Sequence, residues 1–65
     1  MGIYSARSPK FEIFKARNGQ FYFHLKAPNG QVLLASEGYT TKENCLHGIN
    51  CVKQYAVIAE VIDNS

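Results

Sequence analysis

Two side chains of metal-binding type, His47 and Cys51, lie four residues apart in a segment with helical periodicity. Residues at this spacing share one face of a helix, so the imidazole and the thiolate could bind one ion. A structural zinc site needs four ligands, and the others would have to come from His24, a carboxylate or a second copy. We therefore expect no metal site.

A second pair, Glu12 and His24, could transfer a proton if their two strands pair as described below. An exposed ion pair is the simpler interpretation and contributes about 0–1 kcal/mol. The sequence contains no Ser-His-Asp or Cys-His-Asn arrangement and no glycine-rich phosphate loop. With 65 residues there is little room for a deep pocket. We expect no enzymatic activity, no catalytic residue and no cofactor.

One face of the predicted sheet carries aromatic and basic side chains, and the candidate binding residues are Phe14, Tyr22, His24 and Lys26. Such faces stack unpaired bases in some small nucleic-acid-binding domains. The alternative is an ordinary amphipathic strand face, shielded by residues 1–9 or by a second subunit. The net charge of +2 arises from scattered basic residues rather than a basic stripe. Single-stranded nucleic acid is therefore the alternative partner.

These side chains require a sheet, and three runs have strand composition: residues 10–17, 20–27 and 31–36. The turns Asn18-Gly19 and Pro28-Asn29-Gly30 separate them. The third run is continuously apolar at its centre, which predicts a strand covered on both faces. Its register is not determined by the sequence.

The apolar pattern determines the register of the first hairpin. A three-residue loop, 17–19, places Phe11 opposite Leu25, whereas a two-residue loop places Phe11 opposite Lys26. Only the three-residue loop gathers the apolar side chains on one face, because a one-residue slip moves them to the other. We predict a type I turn with Gly19 in the left-handed region.

A helix is predicted over residues 41–54, preceded by a capping box of Thr40 and Glu43. Gly48 lies on or beside its apolar stripe, which predicts a close approach to the sheet. The stripe consists of Cys45, Ile49 and Val52, with Leu46 adjacent. The six residues from Cys45 to Cys51 span about 9 Å of helix, beyond the roughly 7 Å that a disulfide can bridge. Reduced thiols are typical of a cytoplasmic protein.

The final apolar run, residues 55–62, is rich in β-branched side chains and predicts a fourth strand, with helix continuation as the alternative. A 65-residue chain buries only about 60% of its unfolded surface, which raises the question of a covalent staple or a partner subunit. The 46% apolar composition nevertheless excludes a disordered chain. We predict a flexible lead-in at residues 1–9 and one domain at 10–65. No secretory signal or membrane-spanning run is present, so we expect no membrane partner.

Several short blocks together resemble the YegP-like family of small, uncharacterised bacterial proteins. The blocks are Lys10-Phe11-Glu12-Ile13-Phe14-Lys15, Leu25-Lys26-Ala27-x-Asn29-Gly30-x-Val32, Ser36-Glu37-Gly38-Tyr39-x-x-Lys42 and Gly48-Ile49-x-x-Val52-Lys53. The resemblance implies a β(3)-α-β unit, present once or in tandem, with two units sharing one sheet and exchanging their C-terminal strands. The family often has Arg where this chain has Tyr22 and His24.

The predicted fold is therefore α+β, with an antiparallel sheet, one helix on one face and a homodimer. The exchanged dimer strand contains Val57, Ile58, Ala59, Val61 and Ile62. We expect a cytoplasmic, non-enzymatic interaction or structural module. The alternative is a weak single-stranded nucleic-acid binder. Neither the residues nor the resemblance identifies a protein partner other than a second copy.

Overall fold

The computed structural model describes residues 8–65, which form a three-stranded antiparallel sheet and one helix. The strands are β1 (Lys10–Lys15), β2 (Phe21–Lys26) and β3 (Val32–Ala35), in the order β1-β2-β3, and the helix α1 spans Lys42–Ala56. The predicted α+β class is confirmed. Most of the predicted lead-in, residues 1–7, lies outside the described residues.

The β1–β2 hairpin has the predicted register, with Phe11 opposite Leu25. Its loop is closed by two hydrogen bonds: the Ala16 N–H donates to the Gln20 carbonyl at 2.9 Å, and the Gly19 N–H donates to the Ala16 carbonyl at 3.0 Å. Gly19 has φ 83°, which glycine adopts without the steric cost that a Cβ imposes. Phe11, Ile13, Phe23 and Leu25 consequently share the face on which α1 packs.

The edge strand β3 is more exposed than its sequence predicts. Leu34 pairs with Leu25 and Val32 with Lys26, and an irregularity leaves Leu33 between the two pairs. Leu33 is 60% exposed and Val32 is 45% exposed. The prediction that this strand is covered on both faces is wrong for the single chain. The reason is that α1 packs on β2 and leaves both faces of this edge strand exposed.

The core lies between α1 and β2, where Phe23, Cys45 and Ile49 are buried. Phe11 meets Phe23 edge to face, with ring centroids 5.8 Å apart. Tyr39 stacks on Phe23 from the other side, at 6.3 Å. Aromatic pairs of this kind add about 0.5–1.5 kcal/mol to the gain from burial alone.

The helix begins one residue later than predicted. Thr41 is the N-cap, and its hydroxyl oxygen accepts a hydrogen bond from the Asn44 N–H at 3.1 Å. The predicted capping box of Thr40 and Glu43 is therefore wrong, since the helix places Asn44 three residues after its cap. Glu43 still lies in the first turn, where a negative charge is favourable. The helix continues to Ala56, two residues beyond the prediction.

Gly48 allows a close approach, but the neighbour is a side chain rather than the sheet backbone. A Cβ at this position would meet the hydroxyl and ring of Tyr39 and lie 3.3 Å from the Phe23 ring. Tyr39 is held in place by paired backbone hydrogen bonds with Phe21, of 2.7 and 2.8 Å. The Tyr39 ring therefore occupies the space that glycine leaves.

Residues 57–62, called the C-terminal segment below, form no strand within the chain. Val57 retains helical torsion angles, φ −67° and ψ −32°, and the Ile58 N–H donates to the Tyr55 carbonyl at 3.1 Å. The fourth strand is thus absent from the single chain. Its exchange with a second copy remains a prediction.

Candidate functional site

The predicted binding residues lie together on the sheet face opposite α1, called the open face below. Phe14 and Tyr22 face each other across β1 and β2, with their rings stacked and their centroids 5.8 Å apart. His24 meets Phe14 edge-on at 4.8 Å. Phe14 is 41% exposed. Strand alternation therefore brings three of the four candidates, Phe14, Tyr22 and His24, into one partly exposed ring cluster.

The Tyr22 hydroxyl is anchored at one end of this cluster. It accepts a hydrogen bond from Asn18 Nδ2 at 3.0 Å and donates one to Gln20 Oε1 at 3.4 Å. A Cβ at Gly38 would collide with Gln20 Oε1 and lie 2.9 Å from the Tyr22 hydroxyl. These contacts hold the Tyr22 hydroxyl in place, while its ring stacks on Phe14.

The fourth candidate, Lys26, forms an ion pair. Its Nζ lies 2.8 Å from Glu12 Oε1. This hydrogen bond and the charge of Lys26 hold the pKa of Glu12 below its usual value of 4.5. Glu12 and His24 are opposite each other, as predicted, but the predicted ion pair between them is wrong. The longer Lys26 side chain reaches the carboxylate diagonally and partly neutralises the positive charge of the open face.

The C-terminal segment presents the residues predicted to form the dimer strand, and all of them are exposed. The exposed fractions are 83% for Val57, 73% for Ile58, 95% for Val61 and 67% for Ile62, and Ala59 is also exposed. Apolar side chains exposed singly are ordinary, but a contiguous set indicates an interaction site.

A groove of about 750 Å³ lies between β1 and α1. We call it the β1–α1 groove. It is lined by Ser8, Pro9, Lys10, Phe11, Ile13, Leu25, Leu46, Ile49 and Lys53. Sequence reasoning did not identify this groove. The available signal was Leu46, which lies beside the buried stripe of the helix and is 45% exposed.

The two cysteines are both free thiols on α1, as predicted, with Cys45 buried and Cys51 exposed. Burial raises the pKa of the Cys45 thiol. His47 and Cys51 line a shallow depression together with Tyr39. Within residues 8–65, no three or more His, Cys, Asp or Glu side chains are grouped to hold a metal ion.

Comparison of the amino-acid sequence with known families identifies one match. The domain of unknown function DUF1508 matches residues 16–63. The chain belongs to this family. It is 53% identical over 49 residues to the UPF0339 protein of the ptx operon 5′ region in Stutzerimonas stutzeri, covering 75% of this chain and 44% of that protein. It is 39% identical over 56 residues to a UPF0339 protein of Agrobacterium fabrum, covering 86% and 90%.

The YegP protein of Yersinia pestis, another UPF0339 member, is 49% identical over 43 residues, covering 66% of this chain and 38% of YegP. The YegP-like resemblance is thereby confirmed. The chain spans less than half the length of the Stutzerimonas and Yersinia relatives and about nine tenths of the Agrobacterium relative.

The fold also matches a solved structure, the NMR solution structure of a protein from Haloferax volcanii. The TM-score is 0.77 and the identity 34%, covering 85% of this chain and 93% of the other. Among the described helical residues, none form a helix that is both long and apolar enough to cross a membrane.

Proposed function

We propose that the chain is a non-enzymatic interaction or structural module that acts as a homodimer and exchanges its C-terminal segment. The observation that carries the proposal is the exposure of that segment, which reaches 95% at Val61. Exchange between copies would bury these side chains, and each fully buried Val or Ile contributes about 1.5–3 kcal/mol.

The small core gives independent support. Three hydrophobic residues are buried within the described part of the chain, Phe23, Cys45 and Ile49. A second copy is the partner that a symmetric exchange requires.

The lengths of the relatives are compatible with this assembly. This chain covers 44% and 38% of two relatives and 90% of a third. A relative more than twice as long has room for two units in one chain. A relative of similar length would need a second copy to form the same pair. The two free thiols also fit a reducing compartment, and we place the protein in the cytoplasm.

The test compares two variants that add the same charge to the C-terminal region. Val61→Asp places a carboxylate in the proposed apolar interface, where an unpaired charge costs several kcal/mol. Asn64→Asp places it beyond the segment. We expect Val61→Asp to dissociate into monomers with a lower melting temperature at micromolar concentration, while Asn64→Asp keeps the wild-type sedimentation and melting profile. A wild type that sediments as a monomer at micromolar concentration contradicts the proposal.

The open face supports a second candidate function, weak binding of single-stranded nucleic acid. The supporting observation is the partly exposed ring cluster of Phe14, Tyr22 and His24, because aromatic rings stack on unpaired bases with little sequence preference. The Lys26–Glu12 ion pair weakens this candidate, since it reduces the charge available to phosphates.

An amide NMR titration with a mixed-sequence single-stranded RNA, at low and moderate salt, tests this second candidate. Salt-sensitive shifts centred on Phe14, Tyr22 and His24 would support it. Stacking contributes about 1–3 kcal/mol per base, so Phe14→Ala should weaken binding by about five- to 150-fold. Leu33→Ala, an exposed apolar position outside the cluster, should not. Absence of shifts at high RNA concentration rejects this function.

A further inference from the structure

We propose that the β1–α1 groove binds a free aliphatic carboxylate, with the hydrocarbon chain between its apolar walls and the carboxylate at Lys53. The proposal goes beyond the homodimer and does not depend on it, because segments exchanged at the exposed edge of β3 would leave the groove open. The groove volume of about 750 Å³ lies within the range of about 300–1,000 Å³ that is typical of small-molecule sites.

The two walls of the groove are held in place by the core. On the helix side, Ile49 is 7% exposed and packs in the buried cluster with Phe23. On the strand side, Phe11 meets the Phe23 ring edge to face at 5.8 Å. Because the same buried ring supports both walls, the groove exists before a ligand enters it, as is usual for small-molecule sites.

The lining favours an aliphatic chain over a planar aromatic ligand. The Phe11 ring already packs against Phe23. The other large apolar side chains of the lining are branched and aliphatic, namely Ile13, Leu25, Leu46 and Ile49. Leu46 is 45% exposed, so a bound hydrocarbon chain would remove apolar surface from water.

The charge of the groove favours an anion. Lys53 follows Ile49 by about one helical turn and therefore lies on the same flank of α1. No Asp or Glu lines the groove, and within residues 8–65 Lys53 forms no ion pair. Lys10 adds positive charge at the start of β1, although strand alternation places its side chain on the face of Glu12. A carboxylate would supply the counter-ion that Lys53 lacks, whereas an alkylammonium ion would be repelled.

Methyl NMR of the ¹³C-labelled protein locates the site. The ligands are octanoate, octan-1-ol and octyltrimethylammonium, which share one alkyl chain, each used below the concentration at which it forms micelles. We expect shifts centred on the methyl groups of Ile13, Leu46 and Ile49, and tighter binding of octanoate than of octyltrimethylammonium. Shifts centred on Val32 and Leu33 of β3 overturn the location. Equal or tighter binding of the ammonium ion overturns the choice of an anion.

Lys53→Gln separates the charge from the hydrophobic contact. It should weaken octanoate binding by about two- to fivefold, as expected for an exposed ion pair, and leave octan-1-ol binding unchanged. Lys42→Gln removes the same charge at the first turn of the helix, away from the groove, and should change neither. Equal weakening of both ligands by Lys53→Gln, or no weakening of octanoate, overturns the role of Lys53.

Chain length and Leu46 test the apolar contact. Each methylene group that enters the groove should tighten binding by up to about fourfold, so the affinity should rise from hexanoate to octanoate to decanoate. Leu46→Ser should weaken octanoate and octan-1-ol alike. Leu33→Ser, at another exposed leucine outside the groove, should weaken neither. An affinity that is independent of chain length, or equal effects of the two serine variants, overturns the groove as the site.

The ligand-free protein distinguishes an open groove from one that the protein itself fills. NOEs from the Ile13 and Leu46 methyl groups to residues 1–7, or to the C-terminal segment of either copy, would identify a protein occupant and overturn the proposal. Sedimentation of the same samples separates this result from the proposed homodimer. A monomer that binds octanoate in the groove overturns the homodimer alone. A dimer whose methyl groups do not respond to octanoate overturns the ligand site alone.

Discussion

The hairpin-helix unit of residues 10–56 and the C-terminal segment of residues 57–62 are both rich in apolar side chains, yet only the first buries them within the chain. Phe23 is 2% exposed, whereas Val61 is 95% exposed. Both segments carry strand-forming residues, so composition does not explain the difference. Residues 10–27 form a hairpin through a tight glycine turn, while the segment follows a helix with no reversing residue.

This comparison shows that apolar content predicts burial only where the chain geometry supplies a partner. Gly19 returns the chain onto itself, and β2 consequently lies between two neighbours. No equivalent turn returns the C-terminal segment to the sheet. Its partner is therefore expected in another molecule, which is the basis of the proposed exchange.

The largest effect is expected from removing the centre of the buried unit. Phe23→Ala leaves a cavity between β2 and α1 and costs about 3–5 kcal/mol, a large share of the stability of a small domain. We expect an unfolded chain by circular dichroism. Phe14→Ala, on the open face, should lose less than half as much free energy of unfolding in urea titrations. Equal losses would mean that the open face is as buried as the core.

The next largest effect is expected from removing the C-terminal segment, the region that stays exposed in the single chain. Deletion of residues 58–65 should give a monomer whose melting temperature is lower than that of the wild type and independent of protein concentration. The deletion should reduce the stability of the fold less than Phe23→Ala does, because the entropy cost of association offsets part of the gain from burying the segment. Calorimetry at several protein concentrations measures the melting temperatures of the deletion variant and the wild type. An unchanged, concentration-independent melt in both proteins would contradict the role of the segment.

A smaller effect is expected where Tyr39 closes the β3 side of the core. Gly48→Ala improves helix propensity by about 1 kcal/mol, but the new methyl group meets the Tyr39 ring, which is held against Phe23. We expect a net loss of about 1 kcal/mol, because overpacking costs typically 1–3 kcal/mol. Asn50→Ala, at an exposed position of the same helix, should instead be stabilising. Stabilisation by both substitutions would show that Tyr39 moves freely.

The smallest effect concerns the surface ion pair of the buried unit. The folded-state pKa of Glu12 is lowered, so its ionised carboxylate adds to the free energy of unfolding above the usual pKa of 4.5. This added stability disappears as the pH falls through the folded-state pKa. Glu12→Gln should therefore slightly reduce stability at neutral pH and have no effect in strong acid. Urea titrations of both proteins across this pH range measure the difference. A difference that grows as the pH falls would contradict the assignment.

The hairpin was predictable because two independent signals agreed. The apolar pattern excluded the two-residue loop, and Gly19 supplied the left-handed position that the three-residue loop needs. The open-face cluster followed from strand alternation alone. The helix cap was misplaced by one residue because Thr40 and Thr41 can both act as caps, and Glu43 favoured the wrong one.

Other features depend on contacts that no sequence pattern encodes. The diagonal reach of Lys26 to Glu12, instead of the directly opposite His24, is a matter of side-chain length. The exposure of β3 depends on how much of the sheet one helix can cover. The β1–α1 groove depends on how the helix packs across the sheet, and Tyr39 does not line it.

The most direct test of the account is an isotope-filtered NOE experiment on a mixture of uniformly ¹³C-labelled and unlabelled chains, refolded together. In such a sample, the filtered cross-peaks arise only between different copies. We predict cross-peaks from the methyl groups of Val57 and Val61 in one copy to side chains of the other copy. A spectrum in which these methyl groups contact only their own chain, or no other protein group, would contradict segment exchange.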